Sequence, residues 1–136
     1  MAEAAIGLAA SIVTLIQLTQ TVVDYIKAIK EANNERQNLL NEIVGTQSLL
    51  VSLENKAKAI EFVDTFKLLA VQNGPLDRFK VVLSNLASRL QPSENRIQRA
   101  GRAVVWCFTK KEIDTVITTI ERQKSLFTLA LQNDHL

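Results

Sequence analysis

Hydrophobic residues recur at helical spacing along most of the chain. Over residues 3–30 they form one stripe, which predicts a first helix with Leu8, Ile12, Leu15, Val22, Ile26 and Ile29 on its inner side. A second helix is predicted over residues 34–58, with an inner stripe of Leu39, Ile43, Leu50 and Leu53. A shorter helix is predicted within residues 60–71.

Turn and capping residues divide the second half of the chain. Asn73, Gly74 and Pro75 end one segment and start the next, because proline fits the first position of a helix. The helix that follows is predicted to end near residue 90, with Leu76, Phe79, Leu83, Leu86 and Leu90 inward. Ser93 is placed to cap a short helix over residues 94–105.

A capping box predicts where the last helix begins. Thr109 is followed three residues later by Glu112, so each side chain can bind a backbone amide near the other residue. The helix is predicted to end near residue 132, with Ile113, Ile117, Ile120, Phe127 and Leu131 inward.

These segments predict an all-α fold in one domain covering residues 1–136. The fold is a helical bundle of four long helices plus one or two short helices. Glycine and proline together number six, which is too few for the frequent turns of a β-sandwich or barrel. The single β-like run, residues 104–108, is too short and isolated to pair.

Composition argues against most enzyme classes. Cys107 and His135 are the only residues of their kinds, which excludes an intramolecular disulfide and a Cys-rich zinc site and leaves the chain poorly equipped for catalytic triads or His-based metal sites. The four glycines are isolated and form no phosphate-binding loop. The sequence therefore predicts an interaction module and not an enzyme, with no cofactor and no small-molecule substrate.

Positive charge is concentrated in residues 89–111, which carry +5 in a chain whose net charge is +2. Within the block, regularly spaced arginines are followed by a tryptophan and two lysines: Arg96, Arg99, Arg102, Trp106, Lys110 and Lys111. Two interpretations stay open, a solvated helix face with a core tryptophan or a surface that contacts anionic lipid. Nucleic acid is not an expected partner, because the block is short and has no aromatic stacking platform.

The first helix opens with an uncharged segment. Residues 4–23 are long enough to span a bilayer, and residues 4–16 are nearly apolar on every side. Six of those twenty residues are polar, which argues against a permanent transmembrane helix. A basic region typical of a secretory signal is missing, since the only early charge is Glu3.

A resemblance to one family is carried by four separated segments in the same order. They are MAEAAIGLAASIVTLIQLTQTVVDYI, NNERQNLLNEIVGTQSLLVSL, LLAVQNGPLDRF and KKEIDTVITTIERQKSLFTLALQNDHL. The chain resembles the HeLo-like N-terminal domain of fungal STAND receptors, NLR-like proteins that continue into NACHT and repeat regions. That domain is related to HeLo and to the four-helix domain of the mixed lineage kinase domain-like protein.

The resemblance implies a function in programmed cell death, innate immunity and heterokaryon incompatibility. The chain would be a domain excised from a larger receptor, with the NACHT and repeat regions, other copies of itself and membrane lipids, in particular anionic ones, as partners. It would be cytoplasmic at rest and move to the plasma membrane on activation. Membrane permeabilisation would use the first helix, and the inserting residues would be Ile6, Gly7, Leu8, Ala10, Ile12, Thr14, Leu15 and Ile16. The alternative is a passive oligomerisation or adaptor bundle.

Overall fold

Five helices make up almost all of the chain that the structure describes. The structure is a computed structural model and describes residues 2–29, 33–57, 63–91, 106 and 108–132. The helices are α1 (Ala2–Ala28), α2 (Asn34–Ala57), α3 (Val63–Ala70), α4 (Pro75–Leu90) and α5 (Lys110–Gln132). These residues contain no strand, which confirms the predicted all-α bundle.

Start signals operate at three helix ends, and two of them, Pro75 and the Thr109–Glu112 pair, are predicted from the sequence. At the start of α2 the Asn33 side-chain oxygen accepts a hydrogen bond from the Arg36 amide at 2.7 Å. Pro75 occupies the first turn of α4. At the start of α5 the Thr109 amide donates to Glu112 Oε1 at 3.0 Å, and the Glu112 amide donates to Thr109 Oγ1 at 3.1 Å. The predicted capping box is therefore confirmed.

The α3–α4 turn depends on two small residues. Asn73 adopts a φ of 62°, in the left-handed region that asparagine tolerates better than most residues. A Cβ added at Gly74 would lie 2.7 Å from Val71 Cγ2 and 2.8 Å from the Val71 carbonyl oxygen. Only glycine therefore fits at position 74 without a shift of the turn.

The long helices pack around one apolar core. α1 contacts α2 and α4, and α5 contacts the same two helices, so that α1 and α5 lie diagonally across the bundle. The short α3 contacts α4, α1 and α5. Phe79 of α4 and Phe127 of α5 meet edge to face, with ring centroids 5.9 Å apart.

The predicted inner stripes are largely confirmed. Every predicted inner residue of α2 and α4 is buried, and in the first helix the same holds for Ile12, Leu15, Val22, Ile26 and Ile29. In α5 the prediction is less accurate, because Ile117 and Leu131 are only half-buried while the polar Gln123 is 1% exposed. The short helix predicted over residues 94–105 lies outside the described residues.

Candidate membrane-contact surfaces

The predicted inserting residues divide between the two sides of α1. Ile12 and Leu15 are buried in the core, at 0% and 3% exposure, and Ile16 packs partly against it. Gly7, Ala10 and Thr14 lie on the outer side and are exposed. The side chains of Ile6 and Leu8 lie outside the described part of the chain. At rest, therefore, the buried members of this set are unavailable to lipid.

The outer side of α1 changes character along its length. In the first half it carries Gly7, Ala10, Ser11 and Thr14, which are small and uncharged. In the second half it carries larger polar and charged residues, among them Gln17, Gln20, Asp24 and Lys27. Among the described side chains of residues 7–16, those on the inner side of α1 are therefore apolar and those exposed on its outer side are small and neutral.

The threonine hydroxyls of α1 are satisfied within the helix itself. Thr14 Oγ1 donates to the Ala10 carbonyl at 3.0 Å, and Thr19 Oγ1 donates to the Leu15 carbonyl at 2.6 Å. Such hydroxyls need no outside partner in water, in the core or in lipid. Threonines of α5 make the same kind of bond, so what sets residues 4–16 of α1 apart is that none of them is charged.

By length and composition, Ala9–Ala28 is a candidate membrane-crossing segment with a mean hydropathy of 1.3. A core helix of a soluble protein passes the same test, and 33% of this segment is buried in the bundle. The hydropathy of α1 is thus compatible with both a packed and an inserted state.

Polar contacts hold the second half of α1 to α2. Gln47 Nε2 of α2 donates to Gln20 Oε1 of α1 at 3.1 Å, and Gln20 is itself positioned by a bond within α1, from its Nε2 to Asp24 Oδ1 at 2.9 Å. Arg36 Nη1 donates to the Ile26 carbonyl at 3.4 Å, close to the end of α1. Sequence reasoning missed these contacts, because helical periodicity does not show which helices are neighbours.

The basic block is only partly described. Arg96, Arg99 and Arg102 lie outside the described residues, whereas Lys110 and Lys111 are exposed at the start of α5. Lys110 and Lys111 border a shallow depression together with Asp114 and Arg122. Arg122 was not predicted; it lies 11 residues after Lys111, and this three-turn spacing could have placed it on the same face.

Arg89 and Glu112 tie α4 to α5 beside this block. The two side chains form an ion pair, and the Arg89 guanidinium carbon lies 4.1 Å from the centre of the Phe108 ring. Hydrogen bonds from Arg89 and from the Thr109 amide lower the pKa of Glu112 to about 2. Trp106 is half-buried, with its ring 5.3 Å from that of Phe108. Trp106 therefore packs partly against the core and keeps part of its surface exposed, so both of its interpretations stay predictions.

A groove of about 580 Å³ runs between α4 and α5. Its lining includes the apolar side chains of Val82, Leu86 and Val116, with Thr115 and Thr119 also at the groove. Both hydroxyls donate to carbonyls of their own helix. Within the described ranges, no group of three or more His, Cys, Asp or Glu side chains is close enough together to hold a metal ion.

No protein-family model, curated protein or solved structure matches this chain. A function for the chain is therefore inferred from the geometry of the two surfaces above, α1 and the basic block, together with the sequence resemblance.

Proposed function

We propose that this chain is a HeLo-like executor domain that permeabilises membranes through α1 after copies of it cluster. In this proposal it belongs to a fungal NLR-like receptor that triggers cell death. The domain is cytoplasmic at rest and acts at the plasma membrane on activation. It has no catalytic role, and its partners are other copies, anionic lipids and the NACHT and repeat regions of the receptor.

The observation that carries this proposal is the outer side of α1. A helix that only packs on a bundle needs a single apolar stripe, and charged residues usually cover the side that faces water. Ala10 and Thr14 are exposed, yet neither they nor their neighbours in residues 4–16 are charged. Residues 4–23 would form a helix about 30 Å long, which matches the hydrocarbon thickness of a bilayer.

The basic block supports the first encounter with the membrane. Lys110 and Lys111 are exposed, and Arg96, Arg99 and Arg102 precede them in the sequence. Each cation near an anionic lipid surface contributes about 1 kcal/mol of attraction, and salt weakens it. In the proposal these cations contact headgroups, while Trp106 contributes only the part of its ring that Phe108 and the core leave exposed.

A passive oligomerisation or adaptor bundle is the second candidate. It is favoured by the complete burial of Ile12, Val22 and Ile26, which gives α1 an ordinary place in the core. The two candidates differ in what happens at a membrane, since only an executor releases the contents of vesicles.

Leakage from anionic vesicles tests the proposal, with Thr14→Glu as the decisive variant. Thr14 lies at the middle of residues 4–23, where a charged side chain costs roughly 2.5–3.5 kcal/mol in each inserted copy. We expect the parent to release dye and Thr14→Glu to lose nearly all release. Because Thr14 is exposed and its hydroxyl bonds only to its own helix, the bundle should keep its melting temperature.

Two matched variants complete the experiment. Thr14→Gln enlarges the same side chain without charge and should leak like the parent. Ser48→Glu makes the same charge change on the exposed side of α2 and should also leak. A folded Thr14→Glu chain that leaks as well as the parent would contradict insertion of α1 and favour the adaptor bundle.

A further inference from the structure

We propose that the surface vacated by α1 pairs with the same surface of a second copy of this chain. We call this surface, formed by the sides of α2 and α4 that α1 covers, the α1 trough. The inference rests on the proposed function, because the trough is uncovered only when α1 leaves. It identifies the interface through which clustered copies meet.

The topology allows the trough to survive the loss of α1. α5 contacts both α2 and α4 directly, so these three helices remain connected when α1 is absent from the bundle. On α2 the trough is located by Gln47, whose amide binds Gln20 of α1. Ile43 and Leu50 lie about one turn to either side of Gln47 on the same helix side, and both are 0% exposed.

The area of the trough suits a dimer. α1 contributes five buried aliphatic side chains to the core, namely Ile12, Leu15, Val22, Val23 and Ile26, and the buried Ile29 directly follows the end of the helix. At roughly 60–120 Å² for each fully buried side chain, their removal uncovers about 400–700 Å² of apolar surface. A standard interface uses about 800 Å² per partner, a little more than half of it apolar. The trough alone supplies that apolar area.

The chemistry of the trough allows it to pair with itself. The buried residues of α2 and α4 are all uncharged, and Arg36, the cation through which α2 contacts α1, lies in the first turn of α2 at one end of the trough. Two identical surfaces can therefore meet over their apolar centres without repulsion between like charges. The buried polar group among them, the Thr46 hydroxyl, donates to the Glu42 carbonyl at 2.8 Å and needs no partner from outside. An apolar patch of this size rarely stays in contact with water.

Single-cysteine cross-linking tests the pairing in the full chain. Cys107→Ser provides a background in which Ile43→Cys probes the trough and Ser48→Cys probes the exposed side of α2. A short bis-maleimide is added with and without vesicles of phosphatidylserine and phosphatidylcholine, while dye release is followed in parallel. We expect an Ile43→Cys dimer that appears only with vesicles, and no corresponding gain of dimer for Ser48→Cys.

Each outcome decides between the two proposals. One outcome is that dye is released and the Ile43→Cys thiol reacts with a mono-maleimide, but no dimer forms. This outcome overturns the pairing and keeps the membrane function, because lipid then covers the trough. If the parent releases no dye, the membrane function is overturned. If the Ile43→Cys thiol also stays unreactive, the trough is never uncovered and the pairing is overturned as well. If Ile43→Cys lowers the melting temperature in solution, Leu50→Cys serves as the trough probe and is judged by the same outcomes.

Discussion

Replacement of Gln123 by methionine is predicted to stabilise the bundle. Gln123 is 1% exposed on the inner side of α5, and its Oε1 atom has no hydrogen-bond partner among the described residues. It lies one turn from Ile120 and from Phe127, both of which are 0% exposed. A buried acceptor that lacks a partner costs about 1–3 kcal/mol, because it gives up its hydrogen bonds to water on folding.

The size of the effect follows from this desolvation cost. Methionine has the same unbranched shape as glutamine and nearly the same length, so it fills the site without a cavity. We expect Gln123→Met to raise the free energy of unfolding by about 1–2 kcal/mol. For a chain of 136 residues this corresponds to a rise of roughly 3–8 °C in melting temperature.

Urea denaturation followed by circular dichroism measures the change. The slope of the transition should stay the same, so that the shift of the midpoint reports stability alone. Gln47→Met is the matched control, because that amide donates to Gln20 and its loss should not stabilise the chain. A midpoint lowered by Gln123→Met would refute the reasoning and show that an ordered water or another group satisfies the Gln123 oxygen.

Two further predictions concern the α3–α4 turn and the α4–α5 ion pair. Gly74→Ala should lower the free energy of unfolding, measured with urea, by about 1–3 kcal/mol, because the added methyl group meets Val71. At Gly7 the methyl group has open space, so Gly7→Ala should raise the free energy of unfolding by about 0.5–1 kcal/mol. Equal effects would contradict the steric argument. Since the pKa of Glu112 is lowered to about 2, the stability from its pairing with Arg89 is complete above about pH 4.5 and is lost as the pH falls toward 2. Glu112→Gln should flatten the dependence of the urea midpoint on pH in that interval, and an unchanged dependence would contradict this assignment.

Much of the fold could be predicted from the sequence, because its signals are local. Pro75 and the Thr109–Glu112 pair mark helix starts through chemistry that acts within one turn, and both mark them correctly. The stripe of α4 has a single apolar side, so its five inner residues follow directly from periodicity. In α5 the apolar residues spread over a wider arc. Periodicity therefore predicts that Ile117 is buried, although it is only half-buried, and it does not indicate that the polar Gln123 is buried.

The candidate surfaces were predicted less completely, because they depend on which helices are neighbours. The sequence pattern grouped the inserting residues of α1 together, whereas the structure buries Ile12 and exposes Thr14. The bond between Gln47 and Gln20 joins residues 27 positions apart, and no pattern within either helix predicts it. No pattern predicts the ion pair between α5 and α2 either, in which Lys124 Nζ lies 3.6 Å from Glu42 Oε1.

In the proposed function, the balance between a packed and an inserted α1 would be set mainly by the surface that α1 leaves behind. Ile12 and Val22 are away from water in the core, and lipid tails are as apolar as a protein core, so moving such residues into a bilayer would change their free energy little. The Gln47–Gln20 bond is exposed and contributes about 1 kcal/mol at most. Exposure of about 400–700 Å² of trough to water costs on the order of 10 kcal/mol. Under the two proposals a single copy therefore keeps α1 packed, and a neighbouring copy that covers the trough would remove the main free-energy barrier to insertion.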